Sequence, residues 1–407
     1  MKLKLTLFVF AFAMNAQAAV WTATAQWSAQ TEQQYQDWVR ANWTKNVFDN
    51  PGPLQGVELD CADAVYSMRL LFSYEQKLPF AVKDPSSNRA ISNDMNRFNS
   101  ISDPDRRFRA FALFLYDILG TGTLTEDSFA VAMNRSAIHA GVFLKTDKAS
   151  HHSWTVRDLD RAGVPFLLFA SRPARTTLLD RHYFPTMGFL WGQQDANGQQ
   201  IDANLQTPGD PAAGVGFRMY RYPQDLLKPE WQVPGYSTEQ FSMKKILWSR
   251  SMQRALQISA ETPEELATRL LGEACKEATD RISVVHDAQR AMASKSPSYC
   301  FNATEYDDYS TPSKDSRARG VFNELINSYR RDSSALSPAT RARVSAVVEA
   351  HNDASYCPVK ISSAKTLTLG QAIQLSSRWS SNPNDSLFAR WGLERSPTPH
   401  AASCPTY

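Results

Sequence analysis

The stretch His151-His152-Ser153-Trp154-Thr155-Val156-Arg157-Asp158, the turn Asp160-Arg161-Ala162-Gly163 and the run Val164 to Ser171 decide how this chain is read. Alternating residues, a glycine-bearing turn and a second β-rich run predict an antiparallel hairpin. Counting back from the turn pairs Val156 with Leu167, Trp154 with Phe169 and His152 with Ser171. Gly141 to Lys145 reads as a further strand before it. Upstream the period is helical. Thr31 to Thr44 carries Tyr35, Trp38, Val39 and Trp43 at helical spacing, and Asp60 to Lys77 puts Cys61, Val65, Met68 and Phe72 on one face. Asp103-Pro104 opens a third helix, buried through Phe108, Phe111, Leu115 and Leu119. Helices first and antiparallel strands second predict an α+β fold.

Residues 1–18 have the layout of a secretory signal: Lys2 and Lys4, an apolar run from Leu5 to Met14, and Ala16-Gln17-Ala18 before the cut. That run is too short to span a bilayer. The expectation is a secreted or periplasmic protein with no integral membrane segment after cleavage. A formal charge of +3, without a basic block, makes nucleic acid a poor partner. Residues 19–236 are expected to form one α+β domain, with the proline-rich stretch from Gln206 to Ser237 as a long irregular connector or cover. Residues 237–407 read as a helical domain, with helices over Thr262 to Lys276, Thr279 to Ala293, Ser316 to Tyr329, Pro338 to Asn352 and Leu369 to Trp379.

Four of the five cysteines, Cys275, Cys300, Cys357 and Cys404, lie in that helical part and fit two disulfides. Cys300 with Cys357 is the preferred pair, since both follow Ser-Tyr. Cys61 is left over at the start of a helix, where unpaired N–H groups and the helix dipole favour a thiolate. A cysteine nucleophile needs a base, and histidine suits neutral water. His151 and His152 point to opposite faces of their strand. His152 shares the apolar face with Trp154 and Val156, which is the face a helix is expected to cover, so His152 is placed opposite Cys61. Ser171, its cross-strand neighbour, is the third candidate. No close metal-ligand spacing is read among the cysteines and histidines, and no phosphate loop or dinucleotide fingerprint is present. Neither a metal nor a cofactor is expected. Trp191 and Trp231 are candidates for sugar stacking.

The helix opening in Asp60-Cys61-Ala62, the later strand Ala140-Gly141-Val142-Phe143 and the histidine-led strand from His152 to Asp158 together resemble the NlpC-type cell-wall peptidases of the papain-like cysteine peptidase superfamily. The resemblance covers roughly residues 55 to 175. It implies a papain-like core, an N-terminal helix packed on an antiparallel sheet, with Cys61, His152 and Ser171 as the catalytic residues. It also implies amide cleavage in peptidoglycan stem peptides through a thioester. Two alternatives remain beside that reading: a transglutaminase-like acyl transferase, and a non-catalytic exported protein that binds cell-wall fragments or acts as a scaffold.

Overall fold

A computed structural model describes residues 19–146, 151–185, 190–191 and 205–407, so the expected signal at 1–18 lies outside the described residues. The three N-terminal helices form where their periodicity places them: α1 (Ala29–Asn42), α2 (Cys61–Glu75) and α3 (Pro104–Ile118). Each starts on a polar cap, Ser28, Asp60 and Asp103, whose side chain accepts first-turn N–H groups. A small hairpin, β1 (Ala81–Lys83) with β2 (Ala90–Ser92), lies between α2 and α3. The main sheet is antiparallel and consists of β3 (Ser128–Ala130), β4 (Phe143–Lys145), β5 (Ser153–Leu159), β6 (Pro165–Phe169), β7 (Leu179–His182) and β8 (Gly216–Tyr220), in the order β3-β8-β4-β5-β6-β7.

The β5–β6 hairpin has the expected pair, Val156 opposite Leu167, but nearer the turn Asp158 faces Phe166 and Leu159 faces Pro165, one residue off the count, with a bulge at Arg157 making up the difference. Its turn closes through Asp160 N–H to the Val164 carbonyl at 3.0 Å, and the Asp160 carboxylate accepts the Val164 N–H at 2.8 Å. Strand β8 is a departure from expectation. It lies inside the stretch read as an irregular connector, yet it fills the sheet between β3 and β4. Its five residues hold Arg218, which looks like a loop residue in sequence. In the fold that arginine is buried and bonds Ser128 Oγ at 2.8 Å and Glu230 at 2.9 Å.

Both faces of the sheet are covered. On one, α1 and α2 bury Tyr35, Val39, Val65, Met68 and Phe72. On the other, Trp154, Val156, Leu167, Phe169 and Phe217 meet Trp248, Met252 and Leu256 of α4 (Trp248–Leu256). Those α4 residues and Phe241 lie past the boundary expected after residue 236, but they belong to the core beneath the sheet.

The remaining helices are α5 (Pro263–Ala293), α6 (Ala303–Tyr309), α7 (Pro312–Asp332), α8 (Pro338–Val348), α9 (Leu369–Leu375), α10 (Leu387–Arg390) and α11 (Pro399–Ser403), with a ribbon of β9 (Val359–Lys360) and β10 (Thr366–Leu367). They share a core of Leu270, Leu271, Val321, Phe322, Leu325 and Val347. The two helices expected over 262–293 are one, since neither glycine nor proline stands between Lys276 and Thr279 to break it. The disulfides are Cys275–Cys357 and Cys300–Cys404, so the expected Cys300–Cys357 bond is corrected. Cys275 lies mid-helix and Cys300 past the helix end, about 27 Å of helix rise away from 275 to 293. A partner at Cys275 therefore cannot serve Cys300, and matching local sequence carries no information about that distance. Among the described residues no helix is long and apolar enough to cross a membrane.

A buried ionic cluster joins the helices to the sheet. Arg181 of β7 bonds Glu277 of α5 at 2.9 Å and also Asp280, and Tyr183 donates to Glu277 at 3.1 Å. Arg317 of α7 stands 3.6 Å from the same carboxylate. Burial alone would raise the Glu277 pKa, but Arg181 and Arg317 hold it at about 2. Arg181→Ala leaves that carboxylate buried with one fewer cation. We expect it to lose about 3–5 kcal/mol of stability, read as a drop in urea midpoint. A midpoint shift below about 1 kcal/mol would show the cluster to be energetically neutral.

Candidate functional site

Cys61 is the first residue of α2, and Asp60 caps the helix above it. The Asp60 carboxylate accepts the N–H groups of Ala62 at 2.9 Å and Asp63 at 3.2 Å. Asp63 returns the contact by accepting the Asp60 N–H at 3.0 Å. This capping box satisfies two first-turn donors, so the Cys61 N–H is the one it leaves unused. The residue is half-buried and is the free cysteine of the chain among the described residues. Its sulfur lies 3.2 Å from Thr121 Oγ1 and 3.8 Å from the His151 carbonyl oxygen. Ser153 of β5 donates its hydroxyl to the Cys61 carbonyl at 3.0 Å, which fixes the helix start on the strand.

The electrostatics oppose a resting thiolate. Burial of the sulfur, and then the adjacent Asp60 carboxylate, push the Cys61 thiol up to about 11, against hydrogen bonds from Thr121 and Ser153. Burial and the Asp60 charge likewise raise Asp63 to about 7. The helix-dipole argument for an acidic thiol is outweighed here, because the sulfur is buried and the cap that starts the helix is itself an anion.

The expected partners divide. His152 does not meet Cys61. Its ring packs edge-on against Trp154 at 4.6 Å and Phe169 at 5.2 Å between centroids, within the core on the far side of the sheet. Burial, and then the cations of Arg317 and Lys314, push its pKa well below the usual histidine value. The placement of His152 opposite Cys61 is therefore corrected. Helix α2 packs on the polar face of β5, where Ser153 bonds Cys61 and Thr155 accepts from Trp43 Nε1 at 2.8 Å. Ser171 lies two residues beyond β6, half-buried, and none of the hydrogen bonds around Cys61 involves it.

The residues that do surround the thiol are Thr121, Ser153 and the backbone of His151. His151 is exposed and takes a left-handed φ of 43° just ahead of β5. Lys145 of β4 is buried and stands directly across from Ser153, so it shares the sheet face that carries Cys61. The alternation rule did reveal His151, Ser153 and Thr155 as a set; only the choice of which set faces the helix failed. Thr121 had no signal beyond a hydroxyl between two glycines. The loop carrying Thr121 continues through Thr123 and Glu126 into a cleft of about 490 Å³ that Lys83, Asp84 and Ser86 also line. Of the two tryptophans marked for sugar stacking, Trp191 is buried against Phe241 and Trp231 is 71% exposed.

Comparison with protein-family models, curated proteins and solved structures gives no match. The case for any activity therefore rests on this geometry and on chemistry.

The buried histidine sets a pH dependence. A depressed folded-state pKa means that the unfolded chain binds the proton first, so the stability from neutral His152 is complete above about 6.5 and is lost as pH falls below it. Between pH 6.5 and 5 the wild type should lose more stability than His152→Phe, with a difference in slope approaching about 1.4 kcal/mol per pH unit. Parallel urea midpoints for the two proteins across that range would show that His152 is already charged in the fold.

Proposed function

We propose that this protein is an exported cysteine hydrolase acting on amide bonds, with Cys61 as nucleophile and His151 in the base role expected of His152. The observation that carries this reading is a half-buried cysteine at the first residue of a helix packed on a strand that begins beside His151, its sulfur 3.8 Å from the His151 carbonyl. A thiol with a pKa near 11 is about one part in ten thousand thiolate at pH 7. The proton must then leave as the sulfur attacks, which is general-base catalysis by a neighbouring imidazole. His151, exposed and with its carbonyl beside the thiol, is the histidine that would turn toward it. The Cys61 N–H is the helix-start donor available to an oxyanion, and Lys145 places a cation on the same face. The thioester then passes to water. Transfer to an amine instead would make the protein a transglutaminase-like acyl transferase.

The helix-on-sheet layout supports a papain-like core, and the resemblance of the Asp60-Cys61-Ala62 region to NlpC-type peptidases supports peptidoglycan stem peptides as the substrate. A non-catalytic protein that holds wall fragments is the second reading. It is favoured by the raised thiol pKa and by the absence, among the described residues, of an imidazole hydrogen-bonded to Cys61.

Digestion of purified peptidoglycan, followed by mass spectrometry of the released peptides, tests the choice. Wild type should release stem peptides and Cys61→Ala should release none. His151→Ala should lower kcat by about 10²–10⁴-fold, while His152→Phe keeps the activity of whatever fraction folds. Identical profiles from wild type and Cys61→Ala would leave only the binding reading. Thiol chemistry gives an independent check. Alkylation of Cys61 by iodoacetamide should rise about tenfold per pH unit from pH 7 to 10 without a plateau. Asp60→Asn keeps a capping side chain but removes the charge, so it should speed labelling at pH 8. A plateau near pH 8 in the wild type would contradict the electrostatics described here.

A further inference from the structure

The C-terminal end of the chain holds a second cluster of soft ligands, well apart in sequence from Cys61. Cys300, His400 and Cys404 bring one ligand atom each to within 4.8 Å of one another. His400 lies on α11 and Cys404 is the extended residue that ends it, four positions on. This His-x-x-x-Cys spacing went unread in the sequence because its third member is a hundred residues away. The His400 Nε2 lies 3.8 Å from the Cys404 sulfur. Two ligand atoms on a tetrahedral zinc, at about 2.3 Å for sulfur and 2.0–2.1 Å for nitrogen, are separated by about 3.5–3.8 Å.

We propose that Cys300, His400 and Cys404 form a redox-gated site for a borderline-soft divalent cation such as zinc. The oxidised form is the Cys300–Cys404 disulfide, and the reduced form is the metal-bound dithiolate. In the first step two equivalents of a thiol reductant cleave the sulfur–sulfur bond, giving the Cys300 and Cys404 thiols and one reductant disulfide. In the second the cation displaces both thiol protons to solvent and takes two thiolates, the neutral His400 imidazole and a water.

The surroundings suit such an exchange. Cys300 and His400 are both partly exposed, so reductant and ion have access. The Cys275–Cys357 bond differs, since both of its residues pack into the helical core. Opening the Cys300–Cys404 bond also leaves α11 anchored. Asp385 accepts from Ser396 Oγ at 2.6 Å and from the Thr398 N–H at 2.7 Å just before the helix. After it, the Tyr407 ring rests on Tyr306 at 5.6 Å. The freed thiols therefore stay near His400, and a preorganised three-ligand set loses little freedom on binding.

The test is spectroscopic. The full chain is reduced with a dithiol, freed of it by gel filtration under argon, and titrated with cobalt(II) and then zinc(II). The expected result is thiolate-to-cobalt charge transfer and intense tetrahedral d–d bands that saturate at one ion per chain and are displaced by zinc. Oxidised protein should show neither. Cys300→Ser should abolish the charge-transfer band. His400→Ala should weaken zinc binding by more than the ~10–100-fold that loss of a ligand's outer partner costs. Cys275→Ser combined with Cys357→Ser should leave the signal intact. A reduced protein that shows free thiols but no cobalt–thiolate band overturns the proposal, as does a band unchanged in Cys300→Ser and His400→Ala. If circular dichroism shows that reduction unfolds the chain, protein produced in a reducing cytoplasm with zinc is analysed for metal, and zinc-free folded protein overturns it equally.

Discussion

Strand β5 is covered on both faces, and most of the architecture follows from that constraint. One side receives the first turn of α2, with Ser153 bonded to the Cys61 carbonyl, and the end of α1, with Thr155 between Trp43 and the Leu168 carbonyl. The other side receives Trp154 and Val156 into a core shared with α4. A strand buried twice cannot be divided into an inside and an outside by polarity. Its short hydroxyl side chains satisfy themselves on backbone and indole groups, so the polar face is as dry as the apolar one.

That arrangement governs the chemistry open to Cys61. The thiol is held by a helix cap, a threonine hydroxyl and a strand terminus, in a dry setting beside two carboxylates. Burial, and then the Asp60 carboxylate, favour the neutral thiol, against the hydrogen bonds from Thr121 and Ser153. His152, by contrast, is committed to the opposite core, where burial, and then Arg317 and Lys314, push its pKa well below the usual histidine value. The two histidines of one dipeptide therefore have different fates: one is a structural ring among aromatics, the other an exposed residue beside the sulfur. The same α7 that presents Arg317 to the sheet takes part in the Arg181–Glu277 cluster, so the helical half bears on the far side of the very strand whose near side holds Cys61.

Much of the secondary structure was legible. Asp60 and Asp103 mark the starts of α2 and α3, and counting from the turn at Asp160 to Gly163 gives the Val156–Leu167 pair, although a bulge at Arg157 shifts the pairs nearer the turn by one. These signals are local: a side chain meets a backbone group a few positions away. Strand β8 was illegible because its five residues follow a proline- and glycine-rich segment and include an arginine that only Glu230 and Ser128 make tolerable inside the sheet. The continuity of α5, the true disulfide partners and the His400–Cys404 pair beside Cys300 were likewise missed, each because it depends on how far apart helices carry their residues.

The sequence by itself determined the α+β class, the helix that begins at Cys61, the β5–β6 hairpin and a pool of cysteines able to form two bridges. It did so because hydrophobic period, capping and turn chemistry act over distances shorter than one element. Only the tertiary structure decided which face of β5 meets α2, and hence that Cys61 neighbours Thr121, Ser153 and His151 while His152 does not. It also decided which cysteines pair. The first outcome depends on what covers the second face of the sheet, residues some ninety positions downstream, and the second on how far the helices carry their cysteines apart; no local pattern contains that information.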